Sequence, residues 1–441
     1  MAALAWVKRK TSLILPRGRF ARSVAVLAGG TALGQAITVL VSPVLTRLYT
    51  PEDFGVFGVY ASIMGIVTVV ASLRYEYAIP LPEDDQSAAN ILALCFVLLL
   101  GMTTLSWFVI HGLGSQIVTW ANVPGLQPYL WLIPLGMLGA GTYQILNYWA
   151  VRKRDFPRIA QTRLSRGVAR AALQVGVGLV NSGPLGLLLG QLAGEAAGST
   201  SLLLAVWKKF RTSVNFINLR EIRKAGSRYR RFLFFSTTAD LLNALGSQVP
   251  QLLFAAFYGA EIAGWFAFSA RVIAGPLNIV MDSVSQVYFG EAAHLLKCEP
   301  KTVRRLFFKL IGRLVLFGSL PIAVICILAP WFFTIIFGNS WEMAGRYTQV
   351  MGIMFAVRFV IAPLGHTLTL LERQDLYLVQ DGIRLVLTLG ALLVGKAFGV
   401  SHITAVGLYT VAIAASTVFF GWLLWRVLNS GSDRTEGGGG G

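Results

Sequence analysis

Apolar runs of about 20 residues, the length a helix needs to cross a bilayer core, recur from one end of this chain to the other. In lipid the backbone must satisfy its own hydrogen bonds, which leaves helices as the structure for runs of this length. Twelve can be read: residues 23–45, 54–73, 88–110, 129–149, 167–180 and 185–207, then 232–257, 262–288, 310–333, 351–371, 377–398 and 403–425. The fifth is short and begins among arginines. Composition agrees, since 55% of the 441 residues are hydrophobic and 13% are charged, against about 25% charged in soluble domains. The expected class is an all-α polytopic membrane protein.

One stretch is written twice. YTPEDFGVFGVYA, Tyr49 to Ala61, returns as YGAEIAGWFAFSA, Tyr258 to Ala270, with Tyr49 over Tyr258, Glu52 over Glu261, Gly55 over Gly264 and Phe57 over Phe266 at one offset of 209 residues (258 − 49). Upstream, Thr31, Gln35, Thr38 and Ser42 form a polar stripe at i, i+4, i+7 and i+11. The same offset leads to Asp240, Ala244, Ser247 and Gln251, with Asn243 beside the apolar exception. Such spacing puts each set on one helical face. Six runs per half is an even number, so the halves enter the membrane in the same sense, as parallel repeats about an axis along its normal. The expected fold is therefore twelve transmembrane helices in two parallel six-helix lobes around a wet path.

The formal net charge of +18 arises largely from clusters at residues 8–22, 152–166, 208–231 and 297–305. If the runs alternate, these share one side, and the opposite loops hold little beyond Arg47 and Arg346. By the positive-inside rule both termini are expected in the cytoplasm. Cations dispersed between apolar runs do not form a nucleic-acid face, and the N-terminus lacks the pattern of a cleaved signal peptide. The implied division is a basic cytoplasmic N-terminus (residues 1–22), a first lobe (23–207), a cytoplasmic linker (208–231), a second lobe (232–425) and a flexible cytoplasmic tail (426–441). The linker reads as a solvated loop that sets orientation; the other reading makes VNFINLREIRK a basic amphipathic helix on anionic lipid. Cys95, Cys298 and Cys326 have no paired spacing, and the four histidines are scattered, so neither disulfide, metal site nor cofactor is expected.

An ionisable side chain at a helix centre costs about 2.5–3.5 kcal/mol on insertion scales, so such residues are the first candidates for function. Arg271 lies about 15 Å into the eighth run at 1.5 Å per residue, on a face shared with Gly275, Asn278, Asp282 and Ser285. Arg358 falls in the tenth run, Arg384 in the eleventh three residues after Asp381, and Glu195 in the sixth. Arg74 and Glu76 sit at the cytoplasmic end of the second. A guanidinium stays charged and presents a planar fork suited to phosphate oxygens. Arg271, Arg358, Arg384 and Arg74 are the expected anion-binding residues. Thr31, Gln35, Thr38, Ser42, Asn243, Ser247, Gln251 and Asn278 are expected as the polar cavity wall. Asp240, Asp282, Glu195 and Asp381 are expected as charge partners or as ligands for a coupling Na+ or H+. The other reading pairs the arginines with Asp240, Asp282 or Asp381 and has them only hold helices together. Prolines within the runs, such as Pro43, Pro250 and Pro276, suit helices that bend.

The segment GGTALGQAITVLVSPVLTRLYTPEDFGVFGVYASI and the RYEYAIPLP that follows it resemble the opening of bacterial polysaccharide-synthesis (PST, Wzx-like) flippases of the MOP superfamily. The resemblance implies two six-helix lobes around a central cavity in the bacterial inner membrane. It also implies a substrate of undecaprenyl-pyrophosphate-linked oligosaccharide, turned from the cytoplasmic to the periplasmic leaflet for O-antigen, capsule or exopolysaccharide synthesis. Within the same superfamily the alternative is a cation-coupled multidrug exporter, although the first run carries no acid. From another class, the alternative is an integral-membrane polysaccharide polymerase or ligase, which the short, charge-poor outer loops disfavour.

Overall fold

The computed structural model describes residues 19–180, 183–210, 217–298, 300–371, 373 and 375–436; the start of the basic N-terminus, part of the linker and the terminal glycines lie outside them. The helices of the first half are α1 (Arg19–Leu48), α2 (Pro51–Val70), α3 (Asp85–Ala121), α4 (Leu132–Arg152), α5 (Phe156–Gly178) and α6 (Leu185–Phe210), followed by a short α7 (Leu219–Arg228). In the second half a π-helical turn (Phe232–Ser236) leads into α8 (Thr237–Tyr258), then α9 (Ala260–Cys298). The next run is α10 (Pro300–Leu314), joined through a second π turn (Val315–Ser319) to α11 (Leu320–Phe337). It is followed by α12 (Glu342–Ile361) with a short α13 (His366–Leu370), α14 (Asp375–Ala397) and α15 (His402–Glu436).

Among the described residues each of the twelve expected runs falls on one of these helical stretches. Eight are long and apolar enough to cross a membrane on that ground alone. The other four, α4, α5, α6 and α8, carry more polar groups, which neighbouring helices or the cavity take up. The protein is a multi-pass membrane protein.

The duplication is visible in the packing. In the first half α1 packs on α5, α5 on α6, α4 on α6 and α3 on α4; in the second, α8 packs on α14, α14 on α15, α12 on α15 and α11 on α12. Each pair in one list is the counterpart of a pair in the other. The two copies of the repeated motif also meet. A methyl group on Gly55 would lie 1.8 Å from the carbonyl oxygen of Ala260, and one on Gly264 would lie 1.8 Å from that of Pro51. Pro51 and Ala260 are counterparts at the same offset of 209 (260 − 51), so this contact is self-complementary in the way of a two-fold interface. A methyl on Gly58 would lie 3.1 Å from Cβ of Ala267, its own counterpart, which places that pair on the pseudo-axis.

The motif's opening turn is made by different chemistry in each copy. Thr50 caps α2 through a capping box with Asp53, and Pro51 is preset for the first helical turn. At the matching position Gly259 adopts φ 90°, a conformation that favours glycine.

Three expectations need correction. The fifth span does not begin at Gly167: α5 starts at Phe156, so Arg158, Arg163 and Arg166 lie on a helix, not in a loop. The described part of the linker is not merely a solvated loop, because α7 forms and packs on α3, with Ala225 and Tyr229 against the first-half core. Its apolar side is thus used by the protein and its exposed side is basic. The polar tail is helical as far as Glu436.

Candidate functional site

Where the halves meet, the two-fold is broken. The second-span helix α2 packs extensively along α8 and α9, whereas its counterpart α9 touches α1 only sparsely. The space left open is a cavity of about 710 Å³. Among the described residues its first-half wall is α2, through Phe54, Phe57, Gly58, Ala61 and Ser62, all uncharged; the rest comes from α8, α9, α12, α14 and α15 and from Ala362, Gly365 and His366 between α12 and α14.

Of the expected site residues, the cavity gathers Arg271, Arg358, Arg384, Asn243, Ser247, Gln251, Asp282 and Asp381. Arg384 Nη2 lies 3.1 Å from Asp381 Oδ1, one helical turn away on α14, and donates to the backbone and side-chain oxygens of Asn243, each at 3.4 Å. Arg271 and Arg358 make no ion pair among the described residues. The guanidinium of Arg271 stands 5.8 Å over the centre of the Phe57 ring. Asp282 is exposed within the cavity and likewise has no ion pair among the described residues. Gln251 is tied down, its Nε2 donating to Ala263 O at 2.9 Å. Reading the charges alone missed Gln248, Gln380 and Tyr409 in the wall. They are uncharged and fall among apolar neighbours, and only the face of α8 shared with Asn243, Ser247 and Gln251 hinted at Gln248.

Several expected residues lie elsewhere. The stripe on α1 does not line the cavity: Thr31 accepts from Arg163, Thr38 donates to Gly34 O at 3.2 Å and Ser42 to Thr38 O at 2.7 Å. Gln35 is exposed and faces α9, its Oε1 3.4 Å from where a Gly275 methyl would sit. Asn278 is exposed outside the lining. Glu195 is 5% exposed and saturated, since Arg166 Nη2 reaches both its oxygens at 2.5 and 2.6 Å and Arg170 stands 3.6 Å away. Glu195 is thus a charge partner of Arg166 and Arg170.

Arg74 is a tie between halves, not a cavity residue. Leu73 and Arg74 both have positive φ, 51° and 60°, an unusual conformation for bulky side chains. That bend carries Arg74 Nε to 2.8 Å from Asp240 Oδ2 on α8, with Glu76 3.2 Å from Nη1. Tyr77 donates to Asp240 at 2.6 Å; burial and this bond push its phenol above the ordinary range. At the other end of α2 the cavity is shut by the Gly55–Gly264 crossing and a ring cluster in which Phe54 lies 5.0 Å from Trp341 and Phe268 4.4 Å from Trp341. Trp341 also donates to Thr46 O of the first half at 3.2 Å.

The chain is thus a duplicated helical bundle with a cavity open between its halves. The chain matches the model of the polysaccharide biosynthesis protein family over residues 44–345 and belongs to that family. It is 21% identical over 365 residues, 81% of this chain and 74% of the other, to an uncharacterized membrane protein in the cps region of Klebsiella pneumoniae. It is 23% identical over 394 residues, 87% of this chain and 76% of the other, to the succinoglycan biosynthesis transport protein ExoT of Rhizobium meliloti. Among solved structures it superposes on an inward-facing multidrug resistance MATE family transporter of the MOP superfamily with a TM-score of 0.71 at 14% identity, covering 91% of this chain and 96% of that one. On the lipid II flippase MurJ in an inward closed conformation the TM-score is 0.63 at 9% identity, covering 93% and 87%.

Proposed function

We propose that this protein is a flippase that carries undecaprenyl-pyrophosphate-linked oligosaccharide from the cytoplasmic to the periplasmic leaflet of a bacterial inner membrane by alternating access. The observation that carries this reading is the pair Arg271 and Arg358, two cavity guanidiniums with no ion pair among the described residues. A cation at that depth is costly, and a pyrophosphate supplies the compensating charge through charge-assisted, bidentate bonds. The cavity is of a size for a head group, so the polyprenyl tail stays in lipid. Family membership and the transport role in the name of a relative support the same reading. Of the expected coupling residues, Asp282 remains available for Na+ or H+, because Glu195, Asp240 and Asp381 are engaged by arginines.

The cation-coupled drug exporter is disfavoured by a wall whose unpaired groups include two guanidiniums, which repel a cationic drug. A polymerase or ligase role has no site to support it in the residues gathered here. The test is the lipid fraction of cells lacking the protein: lipid-linked oligosaccharide should accumulate on the cytoplasmic side, and Arg271→Ala or Arg358→Ala should fail to relieve it despite normal folded yield. Full relief by both variants would overturn the proposal. Orientation is checked with single cysteines at the exposed Ser115 and Glu221: an impermeant thiol reagent should label Ser115→Cys in intact cells and leave Glu221→Cys unlabelled, and the reverse pattern would refute cytoplasmic termini.

A further inference from the structure

Phe57 joins the cavity wall to the outer seal. Phe57 lies on α2 between Gly55 and Gly58, the two glycines at the crossing with α9, and it is 9% exposed. Its ring takes the guanidinium of Arg271 from the other half. Its counterpart in the repeat, Phe266, is held within its own half, 4.3 Å from the ring of Phe254 and 5.3 Å from that of Tyr409. The counterpart of Arg271 is Ser62 (271 − 209), so the equivalent contact has no cation. Of two positions that the pseudo-symmetry makes equivalent, one has become a cation–π bridge between the halves, beside the point where their backbones come closest.

We propose that Phe57 is a positioning residue that couples anion loading in the cavity to opening of the outer end. This rests on the reading that Arg271 binds the substrate's pyrophosphate. Arg271 has no carboxylate to hold it among the described residues, and a ring face attracts a guanidinium less strongly than a phosphate oxygen does. An arriving pyrophosphate therefore draws Arg271 from Phe57. The α2–α9 crossing then loses that charged tie between the halves. What remains is close backbone approach and ring packing, which hold the seal only while the helices stay in contact. An empty transporter stays shut outside because Arg271 is spent on the seal, and a loaded one is released.

The experiment uses spin labels at Glu52→Cys and Glu261→Cys, which are exposed counterparts at the two motif copies, with Cys95, Cys298 and Cys326 replaced by alanine. Distances are measured in lipid nanodiscs with and without inorganic pyrophosphate, whose affinity is measured by calorimetry. Wild type should gain a longer-distance population on adding pyrophosphate. Phe57→Leu should show that population already without it and gain little more. Phe57→Tyr, which keeps the ring face, should behave as wild type. Arg271→Gln removes the same contact without touching α2, and should show the long population and no response; it serves if Phe57→Leu does not fold. If pyrophosphate binds but leaves the distances unchanged, or if Phe57→Leu and Arg271→Gln stay closed when empty, the coupling is wrong while the transport reading stands. If pyrophosphate fails to bind wild type, or binds Arg271→Gln equally well, the transport reading fails and the coupling falls with it.

Discussion

The two halves keep arginines in the membrane for opposite ends. On α5 of the first half, Arg163 donates to Thr31, while Arg166 and Arg170 share the buried Glu195. In the second half Arg384 has its acid one turn away, but Arg271 and Arg358 face the cavity without an ion pair among the described residues. In the first half two guanidiniums share one carboxylate and the third holds a hydroxyl, so all three are tied to a partner; the second half leaves two at the cavity without an ion pair, the side proposed to meet a ligand. Between Arg166 and Arg170 on one side and Arg271 and Arg358 on the other, the difference lies in whether a carboxylate is within reach.

That contrast can be broken most forcefully at Glu195. Glu195→Gln strands Arg166 and Arg170, and removing one partner of a buried ion pair costs about 3–5 kcal/mol; thermal unfolding in detergent should show a loss of that order. Asp282→Asn should leave the unfolding transition in place, and equal losses in the two variants would erase the distinction. Next in size, Arg271→Ala and Arg358→Ala should lower transport at least about tenfold, the equivalent of 1.4 kcal/mol, with unfolding unchanged. Lys at either position should recover part of the rate, because it keeps the charge and loses the fork. A smaller effect is expected at the tie between halves. A double-mutant cycle on Arg74→Ala and Asp240→Asn should give a coupling of about 1 kcal/mol, and additivity would mean the tie is incidental. The smallest belongs to the exposed pair of Arg346 and Glu342, 2.8 Å apart on α12. Arg346→Ala should cost about 0.3–0.5 kcal/mol and leave transport untouched.

The sequence spoke clearly wherever the membrane itself imposes the rule. The span positions follow from apolar length, and the duplication follows from an offset that needs no gap. Partners were harder to read. Helical spacing identified the stripe of Thr31, Thr38 and Ser42 as one face, but a face can turn toward a cavity, a neighbour or its own carbonyls, and Thr38 and Ser42 chose the last. Arg158, Arg163 and Arg166 looked like loop charge because they continue the basic cluster that begins at Arg152 and precede the apolar part of the fifth run. The partners Arg163 and Arg166 find, Thr31 and Glu195, lie on other helices and are set only by the tertiary fold. Arg74 finds Asp240 across 166 residues (240 − 74), a distance no local pattern spans. The cavity arginines were legible because charge in an apolar run is conspicuous; Gln248, Gln380 and Tyr409 carry no such signal.

Gly58 and Ala267 meet across the pseudo-axis, each against its own counterpart. After a duplication most positions drift separately, since each copy has its own neighbours. A pair on the axis cannot, because the two residues divide a single volume: whatever one gains in bulk the other must give up. Gly58→Ala alone overfills it; Ala267→Gly made with it relieves the 3.1 Å contact and leaves the new methyl 2.5 Å from Gln251 Nε2. Such a reciprocal constraint is a lasting imprint of the ancestral single repeat, legible in the sum of two side chains even where the identities have diverged.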